Sequence, residues 1–320
     1  MKSISSQIFA RVEKVEKMKK VPITQSREWQ KLQDDLGEKS FFEENANFQY
    51  LAIKKSTPAG KYLYCPYGPV AETATDFKKS LKSLEELAKK EDAIFIRIEP
   101  QDPDFAKNLP KTAKKSHDLN PKETWVLDLT GTDDDLKAKL PSRLLRYYKN
   151  REKQGITIET SHNPDDIKHL LTLQKALARE KGISTFSENY LKTELSQPFA
   201  TLYLVRSNGA GIIAAGLVFD DGKTRYNLQG AQSDEGRKLH ATGILTIQLI
   251  LDAKAKNLET FDFWGIAPEN APKNHPWAGF TGFKKTFAGY EKDYAGTYDL
   301  VENPLKYKFY QLMRKVRRLV

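Results

Sequence analysis

The chain has 320 residues, of which 39% are hydrophobic and 29% charged, and 52 lysines and arginines against 42 acidic residues leave a formal charge of +10. No stretch approaches the roughly 18 uninterrupted apolar residues that cross a bilayer, the lysine-rich start MKSISSQIFARVEKVEKMKK has no continuous apolar region of a secretory signal, and the one cysteine, Cys65, has no internal disulfide partner. These features predict a cytoplasmic protein of two domains whose basic surplus favours phosphate-bearing partners such as tRNA, nucleotide-sugars or anionic lipid heads.

In chain order, ITQSREWQKLQDDLGEKSFF predicts a short helix with Trp29 and Leu32 inward, and YLAIKKSTPAGKYLYCPYGPV two strands joined by a Pro-Ala-Gly turn. Phe77, Leu81, Leu84 and Leu87 recur at helical spacing, and Ala93 to Ile98 forms the strand that follows. A connection rich in Asp, Pro, Lys and Asn leads to the strand TWVLDL, near which a second domain is expected to begin. DDDLKAKLPSRLLRYYKNREKQG predicts one or two helices divided at Pro141. An amphipathic helix over Asn163 to Lys181 precedes the meander TLYLVRS, AGIIAAGLVFD and TRYNLQGA, and HATGILTIQLILDAKAKN is a strongly apolar helix leading into the strand ETFDFWG. Helices alternating with short strands predict an α/β fold with mixed sheets, not a helical bundle.

The last segment, LKYKFYQLMRKVRRLV, sets Leu305, Phe309, Leu312, Met313 and Val316 along one helical stripe among lysines and arginines. A helix docked on the core by that stripe is the plainer expectation, and contact of its basic face with lipid or phosphate is the other.

The five histidines and single cysteine form no HExxH or paired CxxC pattern, and His162 with His169 is a weak pair, so no metal is assigned. There is no GxSxG elbow, Walker A or dinucleotide GxGxxG, and no cofactor is expected. The loop Arg237-Lys238-Leu239-His240-Ala241-Thr242 enters an apolar helix as a pyrophosphate loop does, but it lacks the central glycine that lets a coenzyme A pyrophosphate approach.

The densest chemistry is in ETFDFWGIAPENAPKNHPWAGFTGFKKTFAGYEKDYAGTYD. Phe261 and Phe263 predict an inward strand with Asp262 on its other face, Gly265 a close turn, and Trp264 a flat contact. Phe283 and Phe287 would anchor a turn that carries Lys284, a candidate for holding phosphate or stabilising a carbonyl oxygen; Lys285 points elsewhere.

The segments QSREW, YCPYGP, FIRIEP, TWVLDL and RYYKNREKQGI, and above all FDFWGI followed by GFKKTFAGY and YAGTYDL, resemble the FemABX family of aminoacyl-tRNA-dependent transferases that add amino acids to peptidoglycan precursors. The resemblance implies two acetyltransferase-like (GNAT-like) α/β domains, residues 1–127 with 300–320 returning to them and residues 128–299, in the compact form without an inserted helical arm. It implies transfer from aminoacyl-tRNA to a free amine of a UDP-linked or lipid-linked muropeptide. Apart from the resemblance, a monomer is expected, and the basic tail predicts transient peripheral contact with the inner face of the plasma membrane. Carried over by position, Lys284 is the catalytic residue, framed by Phe283, Phe287 and Gly289. Asp262, Trp264 and Gly265 come from the strand motif, Lys31 and Arg179 would hold precursor phosphates, and Tyr67 and Gly68 would line the precursor cleft. Two other functions stay open: an N-acyltransferase drawing on acyl-CoA or another activated donor, and a noncatalytic basic adaptor for nucleic acid or an anionic envelope precursor.

Overall fold

The computed structural model describes residues 21–181, 185–272, 275 and 277–319. The lysine-rich start, Gly182–Ser184 after the Asn163–Lys181 segment, part of the APENAPKNHPW stretch, and the side chains of Val316 and the residues after it lie outside the described set.

The strands run β1 (Lys39–Glu44), β2 (Phe48–Thr57), β3 (Gly60–Cys65), β4 (Val70–Ala71), β5 (Ala93–Ile98), β6 (Lys114–Lys115) and β7 (Glu123–Asp128). They continue as β8 (Ile156–Ser161), β9 (Ala200–Ser207), β10 (Gly211–Asp220), β11 (Thr224–Gln232), β12 (Thr260–Gly265), β13 (Tyr290–Asp293) and β14 (Tyr298–Val301). The helices are α1 (Arg27–Asp35), α2 (Ala74–Lys90), α3 (Pro103–Ala106), α4 (Asp133–Lys139), α5 (Ser142–Lys149) and α6 (Ile167–Lys181). After them come α7 (Glu188–Leu195), α8 (Asp234–Lys238), α9 (Ala241–Ala255), α10 (Ala278–Lys284) and α11 (Pro304–Leu319). The mixed α/β fold expected from the pattern, two sheets each flanked by helices, is borne out.

The chain divides into two compact units, one comprising residues 1–122 and 293–320 and the other residues 123–292. In the first, the sheet order is β1-β2-β3-β5-β14-β6, with β4 on β2 and β3 parallel to β5. Helix α2 starts at Thr73, whose side chain accepts from the Asp76 N–H, and lays Phe77, Leu81 and Leu84 on the core. The chain's return closes this sheet: β14 pairs antiparallel with β5, placing Asp299 opposite Arg97. Both are buried, and Arg97 Nε and Nη2 donate to the two Asp299 carboxylate oxygens at 2.7 and 2.8 Å. The lone cysteine, Cys65, is buried in this core, and burial pushes its thiol up, out of reach of thiolate chemistry.

Helix α11 corrects an expectation. Its inward face is Tyr307 and Tyr310: the Tyr307 ring meets Phe95 edge-on at 5.3 Å and its hydroxyl donates to Asp299 Oδ2 at 2.9 Å. The Leu305-Phe309-Leu312 stripe, expected to dock, faces out, because the tyrosines offer both apolar area and a donor for the buried carboxylate.

The second unit carries the sheet β13-β7-β12-β11-β10-β9-β8. The meander β9-β10-β11 is antiparallel as its Asn-Gly and Asp-Gly turns predict, and α9 fills the core beside it with Ile244, Ile247, Leu249 and Ile250. Pro141 stands as the N-cap of α5, dividing α4 from α5. Strands β11 and β12 are parallel, yet they pair only over Thr224–Tyr226 and Thr260–Asp262. Past that point they part, and the parting positions the site.

Candidate active site

A cavity of about 620 Å³ in the second unit is lined by Asn227, Leu228 and Gly230 of β11 beyond the paired stretch, Phe263 of β12, Thr242 and Leu245 of α9, and Phe280, Phe283 and Lys284 of α10. Helix α10 brings Lys284 there. Phe287, fully buried, packs on Phe263 at 4.9 Å and on Phe283 at 5.6 Å between ring centroids, so the aromatic pair fixes the turn that ends the helix. Gly289 lets the chain pass: a Cβ there would lie 2.4 Å from the Val126 carbonyl oxygen and 2.8 Å from Trp125 Nε1. Trp125 Nε1 donates to the Phe287 carbonyl at 3.1 Å, tying the turn to β7.

Lys284 Nζ donates to the Gly265 carbonyl at 2.6 Å, which takes one of the three ammonium donors and leaves two for the cavity that the residue lines. Burial pulls the ammonium down to about 8, while the charge of Asp262 acts in the opposite direction. Asp262 is buried too, and burial pushes its carboxyl up to about 6 although the Trp264 N–H donates to Oδ1 at 2.8 Å and the Thr124 hydroxyl to Oδ2 at 3.2 Å. Between those two values the site holds one buried cation and one buried anion.

The turn after Asp262 differs from the sequence expectation in one respect. The left-handed residue is Trp264, at φ 67°, not Gly265. A bulky residue in that region is strained, and the Asp262 carboxylate compensates by binding the Trp264 N–H. Asp262 thus shapes the backbone that presents the Gly265 carbonyl to Lys284, consistent with an orienting role for this carboxylate.

Asp262, Trp264, Gly265, Phe283, Lys284 and Phe287 therefore come together in the second unit. Lys285, by contrast, lies over the Trp125 ring and near Glu291, away from the cavity lining. Arg179 belongs to the same unit, exposed near the end of α6. The other three predicted positions lie in the first unit. Lys31 is exposed on α1 and paired with Asp35 at 2.9 Å. Tyr67, buried and left-handed at φ 48°, stacks on Tyr294 and donates its hydroxyl proton to the Pro121 carbonyl. Gly68 abuts Gln25, whose amide a Cβ would meet at 2.5 Å. Tyr67 and Gly68 thus stand as a built turn, with the Tyr67 phenol already engaged.

At the mouth of the cavity the sequence singled out the Arg237–Thr242 loop as a pyrophosphate loop only and did not bring Tyr147 and Arg143 to it. His240, left-handed at the start of α9, stacks on Tyr147 at 4.2 Å, and Arg143 Nε donates to the Tyr147 hydroxyl at 2.8 Å. Arg237 lines the same cavity, and Phe280 is largely exposed at its edge. The available signal was the RYY run, whose paired tyrosines fall on one turn of a basic helix. At the first turn of α9 the Thr242 N–H is bonded to Gln232 Oε1 at 3.3 Å, so one of the amides a pyrophosphate would use is already satisfied. Among the described residues no group of three or more His, Cys, Asp or Glu is placed to hold a metal ion.

The segment that builds this site carries a family signature. Residues 203–315 match the FemAB family. The matched stretch contains Asp262, Trp264, Gly265, Phe283, Lys284 and Phe287, and it bears out the FemABX resemblance. The fold is that of FemX, superposing with a TM-score of 0.78 over 97% of this chain and 98% of that one at 18% identity. The C-terminal domain of a putative lysylphosphatidylglycerol synthetase from Agrobacterium fabrum is similar over 95% of this chain and 96% of its own, with a TM-score of 0.60 and 18% identity. L-PGS from Bacillus licheniformis is similar over 94% and 99%, with a TM-score of 0.57 and 15% identity. At these identities the likeness establishes the fold. No curated protein matches the chain in sequence. Among the described residues no helix is long and apolar enough to cross a membrane.

Proposed function

We propose that this protein is a tRNA-dependent aminoacyltransferase that moves an amino acid from aminoacyl-tRNA to a free amine of a peptidoglycan precursor's stem or bridge peptide. The observation that carries the proposal is the buried Lys284 ammonium on the cavity wall, within the FemAB-matching segment.

The ester of aminoacyl-tRNA is already activated, so the protein has to position an uncharged amine, exclude water and stabilise charge. The amine nitrogen attacks the ester carbonyl and a C–N bond forms. The carbonyl oxygen becomes an oxyanion, and collapse breaks the C–O bond, returning the electron pair to the ribose oxygen, which ends with the proton lost by the amine. Lys284 Nζ stabilises the oxyanion and the departing oxygen in a low-dielectric site, where such a charge is most effective. Asp262 holds the Trp264–Gly265 backbone that orients Lys284. The aromatic pair His240–Tyr147 and the Arg143 and Arg237 cations at the mouth suit the base and phosphates of a single-stranded 3′ end. Lys31 and Arg179 would hold precursor phosphates, and Tyr67 and Gly68 would shape the acceptor cleft, in a monomer at or near the inner face of the plasma membrane.

The test incubates the protein with a panel of charged tRNAs and with soluble or lipid-linked precursor, and weighs the products by mass spectrometry. Because the fold is shared with a lysylphosphatidylglycerol synthetase, phosphatidylglycerol belongs in the acceptor panel. A precursor heavier by one or more aminoacyl residues is expected. Transfer to phosphatidylglycerol alone, saturable coenzyme A binding without use of charged tRNA, or tRNA binding with no deacylation would each overturn the proposal.

A further inference from the structure

Helix α11 has two faces with opposite commitments. Tyr307 and Tyr310 pack inward on Phe95, with centroids at 5.3 and 4.9 Å, and the Tyr307–Asp299 hydrogen bond fixes the helix about its axis. Leu305, Phe309 and Leu312, spaced four and three residues apart, therefore share the outward face, and they are 79%, 52% and 59% exposed. Lys308 and Lys315 flank the stripe on one side and Lys306 on the other. Lys308, Lys315, Leu312 and Lys114 also line a groove of about 580 Å³ beside the helix. None of these lysines is ion-paired among the described residues.

We infer that this face is a docking surface for an anionic lipid bilayer. The stripe spans eight residues, a rise of about 10 Å along the helix. That is a single row of side chains, small against the roughly 800 Å² per partner of a stable protein interface. It is sufficient for an interfacial helix, which sinks an apolar row into the boundary between headgroups and acyl chains while flanking lysines meet lipid phosphates. The bilayer matches both halves of the face, apolar row and basic flanks. The inference rests on the first unit alone: it gives the membrane contact included in the proposed function a named surface, and its test stands or falls separately from the acyl-transfer chemistry.

The experiment is co-sedimentation of the full chain with vesicles of phosphatidylcholine, or of two parts phosphatidylcholine to one part phosphatidylglycerol. The protein is expected to pellet with the anionic vesicles, to release as salt is raised, and to stay in solution with the neutral ones. Replacing Leu305, Phe309 and Leu312 together by Gln should lower the partition coefficient about ten-fold or more. Lys308→Glu with Lys315→Glu should lower it comparably. All five positions are exposed, so thermal unfolding of both variants should match the parent. Absence of partition into anionic vesicles, or partition unchanged in the glutamine variant, overturns the inference. So does a concentration-dependent dimer in analytical ultracentrifugation that the glutamine variant abolishes, since a second copy would then be what covers the stripe.

Discussion

Lys284 is stabilised poorly by its surroundings, as the charge-stabilising role proposed for it requires. Moving its ammonium from an ordinary 10.5 down to about 8 means the fold disfavours the charge at neutral pH by roughly 3 kcal/mol. The sign follows from proton counts. Between about 8 and 10.5 the unfolded chain binds the proton and the folded chain does not, so stability rises with pH across that window, and below it the full cost is present. Lys284→Met should therefore raise stability near pH 7 by about 1–2 kcal/mol, once the lost bond to the Gly265 carbonyl is counted. It should also flatten the rise above pH 8, both seen by urea unfolding at several pH values. Transfer at saturating substrates should fall about a hundred-fold or more; unchanged turnover would remove Lys284 from the chemistry. Asp262 supplies a second check. Its negative charge supports the Lys284 proton, so Asp262→Asn, which keeps acceptor and donor atoms toward Trp264 and Thr124, should move the alkaline limb of the rate profile to lower pH. A limb that stays in place in the pH–rate profile of the variant would uncouple the two groups.

At the scale of elements, the site depends on how closely the segment after α10 passes β7. Val126, whose carbonyl a Gly289 side chain would strike, is in register with Asp262 across the β7–β12 ladder, so it has no freedom to withdraw. Gly289→Ala should cost about 2–3 kcal/mol in chemical denaturation. Gly282→Ala, in α10 with nothing within 4 Å of the new Cβ, should be neutral or slightly stabilising. Equal behaviour of the two variants would mean that the close approach is not what the glycine serves. The contrast also marks where sequence was legible. The FDFWG strand, the aromatic-anchored lysine turn, the β9-β10-β11 meander and the α2 and α9 helices all announce themselves through periodicity and turn residues. Short polar strands such as β1, KSFFEE, and β8, ITIETS, carry no alternation strong enough to separate them from loop. The φ of Trp264 and the cavity mouth at His240 and Tyr147 depend on residues distant in sequence, which pattern alone does not bring together. Helical periodicity also identified α11 but chose the wrong stripe, because the deciding contact, the Tyr307 hydroxyl on Asp299, belongs to the tertiary structure.

For the whole molecule, the decisive feature is that the first unit is discontinuous: its sheet is completed by a strand that the chain supplies only after building the second unit. The fastening is ionic. Arg97 and Asp299 sit 202 positions apart, both excluded from water, with the Tyr307 and Ser116 hydroxyls completing the cluster. A buried pair of this kind is costly to form but more costly to halve, since one charge left alone in a core has no solvent to relax into. Asp299→Ala should thus destabilise the first unit by about 3–5 kcal/mol. Replacing both residues by apolar side chains of similar volume should restore much of that loss. Hydrogen exchange resolves the location: amides of β5 and β14 should lose protection in Asp299→Ala, while those of β9, β10 and β11 keep theirs, because no strand of the first sheet enters their ladder. Protection lost equally in both sheets would show instead that the two units unfold as one, and that the returning strand stabilises the entire chain and not the sheet it completes.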